Sequence, residues 1–161
     1  MPEFVDIIGL LDHIDQSELE QIAGIGSFNS PEGRSLDEDK INAAIKFAGD
    51  MVKGYMARRY PIVATVTPDQ TPDLLQGYVA DIVRWRLRSR TGNRNSTSDE
   101  VTARYKDAKD WLKDVSRNVI NVDFEGADGG HEATLAGSQN LTGTVGAIIR
   151  PARAVRILDG Y

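Results

Sequence analysis

Apolar residues recur at helical spacing along much of the first 120 positions. The clearest run is Ile41, Ala44, Ile45, Ala48, Val52, Tyr55 and Met56, the i, i+3, i+4, i+7 signature of one helix face. Ser35 and Glu38 stand in capping-box register ahead of it, and Asp37, Glu38 and Asp39 suit the positive end of a helix. Pro61 sets its end. Phe47 and Met51 widen the apolar face past half the circumference. A face that wide is covered on two sides, by another helix or by a neighbouring subunit.

A second long helix is expected from Thr71, an N-cap followed by Pro72 at the first helical position, to about Arg90. Leu75, Tyr78, Val79, Ile82 and Val83 form its stripe, with Leu74 and Trp85 on the flank. A third starts near Thr97 or Ser98, with Thr97 and Glu100 in capping-box register. Val101, Tyr105, Ala108, Leu112 and Val115 make a narrow stripe, and the remaining faces are charged, which predicts a solvated helix on the outside of a bundle. A short helix is expected from Ser17 to before Gly24. Residues 1–16 show no firm period, and "GIGSFNSPEGR" reads as loop.

From Val119 the texture changes. "VINVDFEG" reads as a strand, and "ADGGHEATLAGSQNLTGTVG" is Gly-rich and poor in large apolar residues. "AIIRPARAVRIL" then places two short apolar runs around Pro151. Such a tail cannot form a core alone; it is disordered, or its strands pair with another chain. The expected architecture is mainly α: a small bundle of about four helices over residues 1–120, then an extended tail with short β-strands over 121–161.

Charge changes this picture. The net charge is -5, yet it is unevenly spread. Residues 1–53 hold eleven acids and four bases, net -7, and residues 54–94 hold seven Arg and three Asp, net +4. Residues 95–161 hold ten acids and eight bases, net -2. Such asymmetry fits a nucleic-acid contact or a charge-matched partner, although +4 is small beside true DNA-binding patches. Arg59 and Arg86 fall within the apolar stripes near the C-terminal ends of their helices, where a cation complements the dipole and a long stem covers apolar surface. Trp85 and Tyr60 are stacking faces for them. With Phe47, Met51 and Tyr55, these residues are the expected packing set between helices or subunits. Arg84 and Arg88 lie on the opposite face beside Asp81, which is placed to pair with Arg84 at i,i+3. Arg84, Arg88, Arg90 and Arg94 are the expected cations for a channel, a polyanion or an acidic neighbour.

The search for chemistry yields no catalytic constellation. There is no Cys, which removes disulfides, thiol catalysis and Cys-based zinc sites. His13 and His131 lie far apart, and "HEATL" lacks the second His of a metalloprotease helix. Gly26-Ser27 has the wrong flanks for a nucleophile elbow. "GADGGHE" lacks the ending of a phosphate loop, and "SLDEDK" lacks the alternation of a calcium loop. We expect no enzyme activity, no cofactor and no metal. No apolar run approaches a membrane span. The N-terminus carries acids where a signal peptide carries bases, so the expectation is a protein kept in the cytoplasm or packaged from it. The sequons at Asn95 and Asn140 then have no bearing.

The segments "INAAIKFAGDMVKGYMARRYPI", "TPDLLQGYVADIVRWRLRSR" and "VTARYKDAKDWLKDVSRNVINV" resemble the Mu-like prophage head–tail connector proteins, which share the helical adaptor fold of tailed-phage head-completion proteins. The resemblance rests on Gly54-Tyr55-Met56, Arg59-Tyr60-Pro61, Ala80-Asp81-Ile82 with Arg84, and Arg104-Tyr105 with Ala108 and Leu112. It covers about residues 36–122. The front loop and the tail past Phe124 depart from the family's pattern. The resemblance implies a non-enzymatic virion protein at the neck. Its subunits form rings, commonly of twelve copies, that dock on the portal, extend the DNA channel and receive a stopper or tail-completion protein. Double-stranded DNA passing through makes non-specific contact. The tail, with Ile148, Ile149, Arg150, Arg153, Val155, Arg156, Ile157 and Leu158, is then the segment that docks on the portal or on a neighbour. Two other readings are a small helical DNA-binding protein using its second long helix, and an enzyme with an unrecognised site.

Overall fold

The computed structural model describes residues 4–26, 35–90 and 98–124. These fall in one compact unit. Five α-helices are present among them: α1 (Ile7–His13), α2 (Gln16–Ala23), α3 (Glu38–Met56), α4 (Asp73–Arg90) and α5 (Asp99–Ser116). Two-residue strands β1 (Gly24–Ile25) and β2 (Ser35–Leu36) pair antiparallel between α2 and α3. Two 3-10 turns, Pro61–Ala64 and Pro68–Gln70, carry the chain from α3 to α4. The mainly helical expectation holds.

α3, α4 and α5 pack against one another, and α1 and α2 close over α3 and α4. The shared core is built from Ile41, Ile45, Val52 and Met56 of α3, Leu75, Val79, Ile82 and Leu87 of α4, and Ala108, Leu112 and Val115 of α5. The wide face of α3 therefore has its second cover inside the subunit. Phe47, Met51 and Tyr55 are half-buried against the same core. Trp111, which the stripe of α5 did not include, is also buried.

The starts of α2, α3 and α4 differ from the expected ones by one or two residues. Asp37, not Ser35, caps α3; its carboxylate accepts from the Lys40 amide at 3.0 Å. Ser35 is in β2. α2 begins at Gln16 after Asp15, which leaves Ser17 inside the helix. Of the two expected starts, Thr97 and Ser98, it is Ser98 that caps α5, accepting from the Val101 amide. Thr71 is buried, and its hydroxyl donates to the Thr67 carbonyl at 2.9 Å. α1 lay in a stretch without firm period. It is a two-turn helix whose only fully buried residue is Leu10, capped by Asp6, which accepts from the Gly9 amide at 2.7 Å. A side chain at position 9 would crowd Val5 and that same Asp6 oxygen, so glycine keeps the cap open. Two turns are too short for a periodicity to show.

The segment expected as a strand, 119–124, has no strand partner among the described residues. Asn118, with φ 67°, ends α5 in the left-handed region that Asn tolerates. The chain then runs irregularly back onto the bundle and buries Val122 and Phe124 in the core.

Leu112 is fully buried while Leu74 is 60% exposed. Leu112→Ala is therefore expected to cost about 2–5 kcal/mol, and Leu74→Ala to stay within about 0.5 kcal/mol. Chemical denaturation of both variants measures the difference.

Candidate functional site

The arginine-rich middle of the chain was the strongest chemical signal in the sequence. The structure disperses it into separate internal attachments. Arg84 and Arg88, one turn apart on α4, both reach Glu18 of α2. Arg84 grips it as a fork, Nε donating to Oε1 at 2.6 Å and Nη2 to Oε2 at 2.5 Å. Arg88 donates to Oε1 from Nε at 2.9 Å and from Nη2 at 2.6 Å. Paired forks of this kind are the strong class of ion pair. All three side chains are largely covered, at 19%, 22% and 13% exposure for Arg84, Arg88 and Glu18. Burial pushes the Glu18 carboxyl up, but the hydrogen bonds and charges of Arg84 and Arg88 outweigh it, and the group sits below its ordinary value.

Arg84 was expected to pair with Asp81. It pairs with Glu18 instead, because α2 crosses that face of α4. Asp81 faces Arg104 of α5 at 3.9 Å, and Arg104 also meets Glu100 at 3.0 Å. Burial dominates at Asp81 and holds its carboxyl above the ordinary range in spite of Arg104, Arg84 and His13.

Arg59 lies just past α3 and serves the far end of the bundle. One Nη1 donates to the Val115 carbonyl at 2.8 Å and to the Ile120 carbonyl at 2.7 Å, and Nη2 bonds the Asn121 side chain. A guanidinium at the last carbonyls of α5 also complements that helix's negative end. Tyr60 continues the attachment: its hydroxyl accepts from the buried Val122 amide at 3.0 Å, and its ring meets Phe124 at 5.8 Å. The arginine's Nε is buried without a hydrogen-bond partner among the described residues, which offsets part of the gain. Arg86 lies over the Phe47 ring at 4.2 Å. Trp85 stacks on Tyr105 at 4.1 Å, nearly parallel, rather than receiving an arginine. Arg58 and Arg90 are exposed. Arg94, and the tail residues Ile148, Ile149, Arg150, Arg153, Val155, Arg156, Ile157 and Leu158, lie outside the described residues.

Residues at the start of α4 line hollows as well. A cleft of about 290 Å³ is lined by His13, Asp73, Leu74, Gly77, Tyr78, Asp81 and Arg104. A second hollow is lined by Asp69, Thr71, Asp73, Gln76 and Asp123. Among the described residues no group of three or more His, Asp or Glu is placed to hold a metal ion. Also among these residues, no helix is long and apolar enough to cross a membrane.

The model of the family described as Bacteriophage Mu, Gp36 matches residues 6–139. That span contains all five helices and the attachment at Arg59. The chain belongs to this bacteriophage family. It is 28% identical over 128 residues to the Mu-like prophage FluMu protein gp36 of Haemophilus influenzae, which covers 79% of this chain and 80% of that protein. No solved structure matches the chain. The family match begins at α1 and runs past Phe124. The front of the chain and the start of the tail, which looked like departures from the family, thus have family counterparts.

Glu18 was not singled out by sequence reasoning. Its signal was indirect: residues 1–33 contain no Lys or Arg, so any acid buried there must find its cation elsewhere in the chain.

Two predictions follow from these attachments. Arg59→Ala is expected to cost about 2–4 kcal/mol, since it strips charge-assisted bonds from two carbonyls, whereas Arg90→Ala is expected to be near neutral; thermal melts compare them. Glu18→Gln is expected to cost about 1–3 kcal/mol at neutral pH, as it leaves two covered guanidinium groups without their anion. The folded-state value of Glu18 is depressed, so its contribution is present above the ordinary value of 4.5 and is lost as pH falls through the lower folded value. The stability gap between wild type and Glu18→Gln should therefore shrink below pH 4.5, as read by denaturant titrations across that range.

Proposed function

We propose that this chain is a structural protein of the phage particle: a head–tail connector subunit that assembles into a ring at the neck, docks on the portal and extends the DNA channel toward the tail. The observation that carries this reading is the family match over residues 6–139. It is supported by the connector-like order of Gly54-Tyr55-Met56, Arg59-Tyr60-Pro61 and Arg104-Tyr105, and by the helical bundle. In this role the protein performs no catalysis and holds no cofactor. Its partners are copies of itself, commonly twelve, the portal, and a stopper or tail-completion protein. Passing double-stranded DNA touches it without sequence preference. The tail from Ile148 to Leu158 serves as a docking segment.

The arginine attachments favour this reading over a DNA-binding regulator. A duplex reader needs free cations aligned on one face, because affinity comes from neutralised phosphates. Here Arg84 and Arg88 share Glu18, Arg59 holds backbone carbonyls, and Arg86 covers Phe47. The surface that remains is acidic on balance, which suits a channel that DNA must traverse without sticking.

Electron microscopy of the purified full chain, alone and mixed with the cognate portal, tests the proposal. Rings capping the portal are the expected result. A protein that stays monomeric in both samples and is missing from purified particles overturns it.

A further inference from the structure

Exposed apolar residues and acids occur together on α1 and at the start of α4. On α1, Ile8 is 75% exposed and Leu11 39% exposed; on the first turn of α4, Leu74 is 60% exposed. Leu74 shares its cleft with His13, the last residue of α1, and with Asp73. Asp12 and Asp15 flank His13 and are exposed. Asp73 also lines the adjoining hollow with Asp69 and Asp123. α1 and α2 carry no Lys or Arg, and Arg104, the cation of the cleft, is already matched by Asp81 and Glu100. A surface of this kind fits an extended segment that alternates apolar residues with arginines.

This chain contains such a segment. Residues 147–158, "AIIRPARAVRIL", hold Arg150, Arg153 and Arg156, no acid, and five large aliphatic residues. We propose that the α1–α4 face is the docking surface for residues 147–158 of a second copy of this chain. The inference deepens the connector reading and rests on it for the presence of neighbouring copies. Chain length permits the connection. From Phe124, the last described residue, to Ile148 the extended chain spans up to about 80 Å, whereas a domain of this size is roughly 35 Å across. Arginines opposite Asp12, Asp15 and Asp73 supply register and on-rate, and Ile, Val and Leu side chains cover Ile8, Leu11 and Leu74. One such contact is small and weak. Repeated around a closed ring, every copy both gives and receives a segment, and the contacts reinforce one another through effective concentration.

The absence of native cysteine allows a direct test. Full chains carrying Leu74→Cys are mixed with full chains carrying Val155→Cys under mild oxidation. The control mixture pairs Val155→Cys with Val119→Cys, an equally accessible position at 70% exposure. Disulfide-linked heterodimers are expected to form about tenfold faster with Leu74→Cys than with the control. Adding Arg150→Glu, Arg153→Glu and Arg156→Glu to the donor chain is expected to abolish that preference. Equal rates in the two mixtures, or a preference that survives charge reversal, overturn the proposal. So does a doubly substituted chain that closes only on itself. Rings by microscopy without the preferential crosslink sink this inference and leave the connector reading standing; the crosslink without rings does the reverse.

Discussion

The guanidinium of Arg59 fixes where the bundle ends. It is delivered by the turn after α3, yet its partners are the last carbonyls of α5 and the segment beyond them, more than fifty residues away in sequence. Tyr60 then takes the next buried amide. Without these two side chains, the Ile120 carbonyl and the Val122 amide would lose the partners that neither a helix nor a strand supplies. With them, the segment lies on the core, Val122 and Phe124 are buried, and Asp123 lines a hollow with Asp73 at the start of α4. The hook thus couples packing at one end of α3 to the position of the segment that follows α5.

A second constraint is charge matching inside the subunit. The sequence divides into an acidic front and a basic middle, which looks like two surfaces for two partners. The fold brings α2 across α4 and joins them at Glu18, Arg84 and Arg88. Three covered charges in one cluster are tolerable only because the geometry is bidentate and the anion is shared. Removing Glu18 leaves two covered guanidinium groups without the anion they share, so the arrangement specifies how α2 sits on α4 as much as it stabilises it. It also withdraws two of the seven central arginines from any external role as free cations.

Much of this fold was legible in the sequence. The stripes of α3, α4 and α5 are long, and long amphipathic periods survive tertiary packing. The caps were misplaced by a residue or more because Ser, Thr and Asp crowd those junctions and several can serve; only the fold selects which oxygen meets which amide. α1 was missed because two turns bury too little to leave a pattern. The apparent strand at 119–124 was misjudged because its apolar residues are consistent with a sheet, whereas the groups that satisfy its backbone come from Arg59 and Tyr60, sixty positions earlier. The attachments of the arginines were hidden for the same reason. A guanidinium reads alike in sequence whether it meets a phosphate, a carbonyl or a glutamate. The wheel position of Arg59 and Arg86 within apolar stripes carried partial information, and the identity of their partners carried none.

These internal attachments bear on how a connector of this kind could work. A ring through which DNA passes needs a rigid wall, since a pliable wall would let the duplex find and hold stray cations. On the proposed connector reading, arginines locked to Glu18, to α5 carbonyls and over Phe47 would stiffen the wall and lower its free positive charge together. On the same reading the adhesive chemistry would fall to residues 147–158, where Arg150, Arg153 and Arg156 stand among aliphatic residues in the sequence. Separating an acidic scaffold from a basic tail would let assembly depend on protein surfaces that match the tail in both charge and apolar area. Nucleic acid offers the charge without the apolar area, so on that reading the same segment would discriminate between a neighbouring subunit and the genome.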